Sequence, residues 1–316
     1  MSRDDPPLWA VVGSTGTGKS RLAMEVAERA GGEIISVDSA QVFLGLDIGT
    51  AKPTRPERAR VPHHLIDVIE PDDQWTSAGF ADAADVAIAK VRSRGKIPVL
   101  CGGTGLWLRA LTRGLFEAPP ISEAIRDAVR AELEHHGSPA VPARLAKLDP
   151  VAAARLHPND SQRIGRALEF VRETGVPISH AQAEHGFRGV RHRWIGVGLE
   201  WPRDRLIARL AERTRAMFAA GLVEEVTALR DNGLADDSPG LGCIGYRETV
   251  RHLKGELTRD EAIEAIDIAT RQYAKRQKNW FNHDTEVTWL PPDASADDAL
   301  ALFKAVQART SSVTPP

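Results

Sequence analysis

Short apolar runs alternate with a helical pattern in the first third of the chain. The runs Leu8–Val12, Glu33–Val37 and Lys96–Cys101 are apolar or rich in Ile and Val, so each is predicted to form a buried strand. Between the first two runs, apolar positions recur at helical spacing over Ser20–Ala30, and a Gly-Gly pair follows them. Strands that alternate with helices predict a parallel sheet with helices on both faces.

The pattern changes after a Pro-Pro pair at residues 119–120. The stretch that follows has helical segments, such as Ser122–Glu134 and Val151–Leu156, which are separated by Gly and Pro, and it has no clear strand. We therefore predict a helical insertion domain over residues 121–189. Residues 1–120 and 190–316 are predicted to form the core that this domain interrupts.

The chain then returns to the sheet. A strand is predicted over Arg193–Leu199, long helices are predicted over Arg203–Ala219 and Arg259–Phe281, and a last strand is predicted over Val287–Leu290. The complete pattern is that of an α/β protein.

Composition narrows the class of protein. Apolar residues make up 42% and charged residues 27% of the chain, which is ordinary for a globular protein. The two cysteines, Cys101 and Cys243, are not in a CxxC pair, so neither a disulfide framework nor a zinc site is predicted. The N-terminal residues are acidic and Pro-containing, and no apolar run is long enough to span a membrane. A cytoplasmic protein without membrane contact is the expectation.

One motif carries clear chemistry. Residues 13–20, GSTGTGKS, fit the phosphate-binding loop pattern G-x4-G-K-[ST]. Its glycines let backbone N–H groups converge on an anion, and the following helix points its positive end at the same place. Lys19 is predicted to reach a terminal phosphate and the Ser20 hydroxyl to ligate Mg²⁺. Because the motif lies between a predicted strand and a predicted helix, a chance Gly-rich turn is disfavoured. The predicted fold class is a P-loop NTPase-like parallel sheet flanked by helices, with an inserted all-helical domain.

Two polar residues follow other strands at the same predicted edge of the sheet. Asp38 comes directly after Glu33–Val37, and as a carboxylate near a substrate it is a candidate general base or magnesium partner; the alternative is a helix cap. Thr104 follows the strand that ends at Cys101, and its hydroxyl could position a substrate or Asp38. The alternative for Thr104 is an N-cap of a helix over Leu106–Leu111.

The absence of a carboxylate at the end of one predicted strand disfavours ATP hydrolases and switch GTPases. The strand Lys96–Cys101 ends in Cys-Gly-Gly, whereas a typical hydrolase has an Asp at the end of such a strand. Asp67 is a weak substitute, and the guanine-specifying N-K-x-D motif is missing.

Positive charge is segregated although the net charge is −2. On a helix over Arg259–Phe281, an apolar face is predicted opposite a cationic one, with Arg276 at the border. This is typical either of a docked helix with a solvated side or of a phosphate-contacting surface. Segregated charge favours an RNA-sized polyanion, although an Arg could instead reach inward to a diphosphate. The apolar face comprises Ile263, Ile266, Ala269, Tyr273 and Trp280, and the cationic face comprises Arg271, Lys275 and Lys278. The other basic clusters are Gln162, Arg163 and Arg166; Arg188, Arg191, His192 and Arg193; and Arg203, Arg205, Arg209, Arg213 and Arg215.

Seven runs resemble the bacterial tRNA dimethylallyltransferase (tRNA isopentenyltransferase) family. They cover the chain from near its start to its last long predicted helix, and DIGTAKP combined with HPND-x-QR is highly specific, since general P-loop kinases have neither. Ser14 departs from the family, which often has Pro there. The runs are GSTGTGKS at 13–20, DSAQVFLGLDIGTAKP at 38–53, PHHLID at 62–67, GGTGLW at 102–107, DPVAAARLHPNDSQRIGRALE at 149–169, GCIGYRE at 242–248 and TRQYAKRQKNWF at 270–281.

The resemblance implies an activity: transfer of a dimethylallyl group from dimethylallyl diphosphate to N6 of the adenosine at tRNA position 37. Asp38 would accept the N6 proton beside Thr104, while Lys19, Arg213 and Mg²⁺ on Ser20 would stabilise the leaving diphosphate. The implied diphosphate-binding residues are Gly13, Ser14, Thr15, Gly16, Thr17, Gly18, Lys19, Ser20 and Arg21.

The resemblance also implies a partner, the tRNA anticodon stem-loop, which the helical insertion would embrace; a monomer is expected. The implied tRNA-binding residues are Asp38, Ser39, Ala40, Gln41, Gln162, Arg163, Ile164, Gly165, Arg166, Gly242, Cys243, Ile244, Gly245, Tyr246, Arg247, Lys275, Arg276 and Lys278. Two rival hypotheses are a P-loop small-molecule kinase, with Asp38 as base for a substrate hydroxyl, and a non-catalytic RNA-binding protein that kept a phosphate loop.

Overall fold

The chain divides into two compact units. A computed structural model describes residues 5–115, 119–186, 189–284 and 286–311. The core unit comprises Met1–Thr112 and Arg191–Pro316, and the helical unit comprises Arg113–Val190. The sequence placed these boundaries at 121 and 189, whereas the structure places the first one earlier, where the helix Gly105–Arg113 ends.

The core unit contains a six-stranded sheet in which every neighbouring pair of strands is parallel. The strand order is β3-β2-β4-β1-β5-β6. All five strands predicted from the sequence are present, and the predicted P-loop-like parallel sheet is confirmed. The two-residue strand β3 was not predicted, because it is too short to show an apolar pattern. The strands are β1 Leu8–Val12, β2 Gly32–Val37, β3 His63–His64, β4 Ile97–Gly102, β5 Trp194–Leu199 and β6 Val287–Leu290.

Helices pack on both faces of this sheet. Because side chains alternate along a strand, Trp9 and Val11 of β1 join a core cluster that includes Phe303 on one side of the sheet. The residue between them, Ala10, is also buried and belongs to the opposite face. The core-unit helices are α1 Lys19–Ala30, α2 Arg55–Arg60, α3 Ser77–Ser93, α4 Gly105–Arg113, α9 Arg203–Ala219, α10 Leu222–Asp231, α11 Tyr246–Leu253, α12 Arg259–Asn282 and α13 Ala296–Ser311.

The helical unit has its own small core. Val129, Val141, Leu145, Ile164 and Leu168 are buried together in it. The first helix of this unit was predicted to end at Glu134 but continues to Leu148, because Val141 and Leu145 pack into that core and outweigh the Gly and Pro between them and Glu134. The helices are α5 Glu123–Leu148, α6 Pro150–Arg155, α7 Ser161–Thr174 and α8 Ile178–His185.

Within the described ranges, no helix combines the length and the apolar character that crossing a membrane requires.

Candidate active site

Three loops meet at the carboxyl edge of the sheet. Since β2, β4 and β1 are neighbouring parallel strands, the loops that follow them are brought to the same edge. Thr104 N, after β4, donates to Val37 O at the end of β2 at 3.2 Å. A cavity of about 340 Å³ opens there, and its wall includes Lys19, Asp38 and Gly102 from the three loops. The predicted juxtaposition of phosphate loop and Asp38 is therefore present.

The phosphate loop has the conformation that its glycines permit. Gly16 has φ +81°, and a Cβ at this position would overlap the Leu210 side chain. The N-cap of α1 is Gly18, which has no side chain that could accept from the first N–H groups of the helix. The N-terminus of α1 thus offers the unsatisfied donors and the positive dipole end that favour a bound anion.

Two cations, one in this loop and one beside it, have no carboxylate as hydrogen-bond partner among the described residues. Lys19 Nζ donates to Ser14 O at 3.4 Å, and Arg213 Nη1 donates to Thr15 Oγ1 at 2.9 Å. Burial is the largest influence on the pKa of both groups and lowers it. The negative charge of Asp38 acts in the opposite direction and raises both pKa values. Cations that have lost solvent and keep only neutral oxygen partners are suited to hold a polyvalent anion.

The Asp38 carboxylate accepts a hydrogen bond within a short turn. Its Oδ1 accepts from Ala40 N at 3.0 Å, so it caps a short turn and not a helix. This leaves Asp38 in the wall of the cavity that also contains Lys19 and Arg213. Asp38 therefore lines the same cavity as the two cations, and its role as a base stays a prediction.

Thr104 supports this turn and does not cap a helix with its side chain. Its Oγ1 accepts from Ser39 N at 3.1 Å, and it also bonds the Ser39 hydroxyl at 3.4 Å. Tyr273 hydrogen-bonds to Thr104 as well, and burial raises the pKa of this phenol to about 12. Thr104 is also at the N-cap position of α4, since its carbonyl oxygen accepts from Leu108 N at 3.1 Å, while its hydroxyl bonds the residue after Asp38.

The two cysteines of this cavity are poor nucleophiles near neutral pH. Cys101 and Cys243 both lie in its wall and are free thiols. Burial raises the pKa of Cys101 to about 11 and that of Cys243 to about 12. Both thiols stay protonated near neutral pH, and only a thiolate attacks efficiently.

Tyr246 belongs to a buried network that the sequence did not reveal. Its hydroxyl donates to Glu225 Oε1 at 2.5 Å and accepts from Gly49 N at 3.0 Å, and the side chain is fully buried. Glu225 also accepts from Ile48 N at 2.9 Å. Tyr246 was predicted to touch tRNA, and this is corrected here: its side chain positions the loop around Gly49 from inside. Glu225 carried no motif signal that could have found it.

The structure separates exposed from buried members of the predicted RNA-binding segments. In α7, Gln162, Arg163 and Arg166 are exposed, whereas Ile164 and Gly165 are buried in the helical-unit core. The side chain of Ile164 and the close packing at Gly165 therefore support the helix and do not form its surface. Gly242, Cys243, Ile244 and Gly245 precede or begin α11 and lie in the cavity wall.

Some of the predicted basic residues are paired with carboxylates. Arg191 bonds Asp82 and Asp85, and the buried His192 bonds Asp85 at 2.6 Å, so these two do not form a free cationic surface. Arg188 lies outside the described residues. Asp67, the weak substitute for a hydrolase carboxylate, pairs with Lys52 and Arg58.

On α12 the cationic residues have different surroundings. Lys275 and Arg276 are exposed, and Arg276 lies in the wall of the cavity. Lys278 is 3.2 Å from Glu200, which offsets its charge. The buried face of α12 differs from the predicted apolar face, since it includes Gln277 and Ala274, while Ile263 is only half-buried.

A magnesium ion would find few protein ligands here. Among the described residues, no group of three or more His, Cys, Asp or Glu could hold a metal ion. Ser20 lies in the cavity wall with Asp38, which matches the way Mg²⁺ binds through one or two protein oxygens and substrate phosphates. The donor set thus fits Mg²⁺ that arrives with a phosphorylated ligand.

Comparison with known proteins places this chain in a family. The family model described as IPP transferase matches residues 41–284, and the model described as Isopentenyl transferase matches residues 6–67. The chain belongs to the IPP transferase family. The resemblance inferred from the seven sequence runs is thereby confirmed.

Relatives of this IPP transferase match over nearly their whole length. A tRNA dimethylallyltransferase of Geobacter metallireducens is 47% identical over 93% of this chain and 95% of its own length. Another, from Halorhodospira halophila, is 49% identical over 89% of this chain and 91% of its own length.

Two solved structures resemble the fold of this family member. The tRNA isopentenylpyrophosphate transferase of Bacillus halodurans has a TM-score of 0.70 and 35% identity, and the match covers 97% of both chains. A eukaryotic dimethylallyltransferase acting on tRNA has a TM-score of 0.81 and 26% identity, with 96% of this chain and 80% of that chain covered.

Proposed function

We propose that this protein transfers a dimethylallyl group from dimethylallyl diphosphate to N6 of the adenosine at tRNA position 37. The observation that carries the proposal is one cavity in which Asp38 faces the phosphate loop and its two desolvated cations. Family membership and the names of the relatives support it.

The cavity residues divide the reaction between them. The phosphate loop with Lys19 and Arg213 binds the diphosphate and stabilises the negative charge that grows on it as the bond from carbon to oxygen breaks. The adenine N6 forms the new bond to that carbon, and its proton passes to Asp38. Mg²⁺, held by Ser20 and the diphosphate, would supply further positive charge to the leaving group.

The adenine must leave its stack to reach Asp38. Access to a buried base is typical of enzymes that act on single-stranded or flipped-out nucleotides. The residues around the mouth, Asp38–Gln41 and Gly242–Gly245, lie in the cavity wall and are proposed to receive the nucleotide. Binding of the anticodon stem-loop, the monomeric state and a cytoplasmic location stay predictions.

A small-molecule kinase is not favoured. The matches to prenyltransferases extend over almost the whole chain.

The direct test is product analysis. Purified protein with Mg²⁺, labelled dimethylallyl diphosphate and unmodified tRNA is expected to place the label in tRNA, and nucleoside mass analysis should find one dimethylallyl group on adenosine. A matched tRNA with guanosine at position 37 is the control and should stay unlabelled. Phosphorylation of a metabolite at the expense of ATP, with no label transferred to tRNA, would contradict the proposal.

We expect Arg276→Ala to weaken the binding of different tRNAs to a similar extent, whatever their sequence. Arg276 is exposed at the cavity wall, so its removal is expected to lower the slope of log affinity against log salt by about 1. Lys278→Ala should have a smaller effect, because Glu200 already offsets that charge. Filter binding across a salt series measures both, with Lys304→Ala on the exposed side of α13 as control. An unchanged slope for Arg276→Ala would mean that this arginine is merely solvated.

A further inference from the structure

A single buried carboxamide joins two of the loops that form the cavity. Gln277 of α12 is 5% exposed. Its Oε1 accepts from Thr15 N at 2.8 Å, in the phosphate loop, and its Nε2 donates to Gly103 O at 3.0 Å, in the loop after β4. The two bonds have opposite polarity, so one amide group holds a donor on one loop and an acceptor on the other.

The surroundings are specific for this amide. A Cβ on Gly103 would overlap Gln277 Nε2, so the loop after β4 approaches the amide more closely than any other residue type would allow. A carboxylate in its place would face the Gly103 carbonyl oxygen and leave that acceptor without a donor. An apolar side chain would leave both loop groups unpaired in a buried place.

Each loop carries part of the reaction site directly beyond this bridge. On one side, the Thr15 hydroxyl accepts from Arg213 Nη1 at 2.9 Å. On the other side, Gly103 is followed by Thr104, whose hydroxyl accepts from Ser39 N next to Asp38 at 3.1 Å. The amide therefore lies in a chain of contacts that runs from the diphosphate-binding cation to the turn of the general base.

A second bond between α12 and the phosphate loop fixes the same geometry. Ser14 Oγ donates to Ala274 O at 2.8 Å, and both groups are buried. Ala274 precedes Gln277 by less than one helical turn, so α12 holds consecutive residues of the phosphate loop, Ser14 and Thr15. The helix is thus a rigid support on which the loop is mounted.

We infer that Gln277 is a positioning residue for prenyl transfer, which sets the distance between the diphosphate-binding loop and Asp38. The inference rests on the proposed function for its kinetic meaning. Bond formation requires N6 and the departing diphosphate to lie in line on opposite sides of one carbon atom, and a misplacement of about 1 Å can lower the rate by roughly 10²-fold. Gln277 acts through Thr15 and Gly103, and being buried it does not act as an RNA contact, unlike its exposed neighbours Lys275 and Arg276.

Two variants at this position test the inference. Gln277→Glu keeps the size and the acceptor but loses the donor, and Gln277→Met keeps the length without polar groups. Both are expected to lower kcat by roughly 10–10²-fold while KM for tRNA and for the prenyl donor change by less than about threefold. Gln307→Met is the matched control, because Gln307 accepts from Trp9 Nε1 at 3.2 Å on α13 and is not part of the cavity wall. A kcat within threefold of the wild type in both Gln277 variants, or a parallel rise of KM for tRNA, would overturn the inference.

Hydrogen exchange tests the bridge without any turnover. Gln277→Met should increase amide exchange in peptides covering Gly13–Ser20 and in those covering Gly102–Gly105 together, and Gln307→Met should increase neither. Unchanged protection of either loop would overturn the inference even if the wild type made no dimethylallyl product. A wild type that made no dimethylallyl product would contradict only the proposed function, so the two failures can be told apart.

Discussion

Asp38→Asn should lower the single-turnover rate of prenyl transfer by about 10²–10⁴-fold, the range typical of a lost general base. The adenine amine is a weak nucleophile, and the reaction needs its proton removed as the new bond forms. Asparagine keeps the size of the side chain and an oxygen that can accept from Ala40 N, so the turn of Asp38 should persist. Rapid quench with labelled dimethylallyl diphosphate and saturating tRNA measures the rate.

The binding of tRNA is the second readout for this variant. Because the turn is kept, the dissociation constant for tRNA is expected to stay close to that of the wild type. Asp72→Asn is the matched control, since Asp72 is exposed and is not part of the cavity wall. A wild-type rate in Asp38→Asn would remove Asp38 from its role as base and leave it a turn residue.

Lys19→Met should lower kcat by about 10²–10³-fold, because it removes one preorganised donor to the charge that develops on the leaving diphosphate. Burial is the largest influence on the pKa of this ammonium and lowers it, and the positive charge of Arg213 acts in the same direction. A bound diphosphate would interact with both of these partly buried cations, and methionine, which has no charge, cannot replace that interaction.

Competition by inorganic diphosphate separates binding from chemistry in the Lys19 variant. We expect its inhibition constant to rise together with the loss of kcat, whereas tRNA affinity is maintained. Lys90→Met on the exposed side of α3 is the control for removing one lysine. Retention of diphosphate inhibition and of kcat in Lys19→Met would show that Arg213 and the loop backbone suffice.

Much of the fold could be predicted because its signals are local. Leu8–Val12 and Val287–Leu290 form strands with the predicted bounds, and Arg203–Ala219 forms a helix with the predicted bounds, since apolar spacing is read directly from consecutive residues. The end of α5 was mispredicted because Gly and Pro signals after Glu134 are outweighed by burial of Val141 and Leu145. That burial depends on residues of α7, which no local window contains.

The candidate site shows the same division. Lys19 and Asp38 were predicted to meet because a motif and a strand end place them at one edge of a parallel sheet. Gln277 was not among the predicted site residues, because its role depends on contacts with two loops that are distant from it along the chain. Tyr246 was assigned to the tRNA-binding residues through the family resemblance, whereas its side chain is buried against Glu225.

The sequence by itself determined the parallel sheet, the phosphate loop, the missing hydrolase carboxylate and the family, since each follows from consecutive residues or from spacing within one segment. Only the tertiary structure decided which polar side chains face the cavity and which support it. Gln277 and Thr15 are 262 positions apart along the chain, and the bond between them exists only because α12 packs beside the phosphate loop. Such a pairing depends on the direction of two side chains in three dimensions, for which hydrophobic periodicity carries no information.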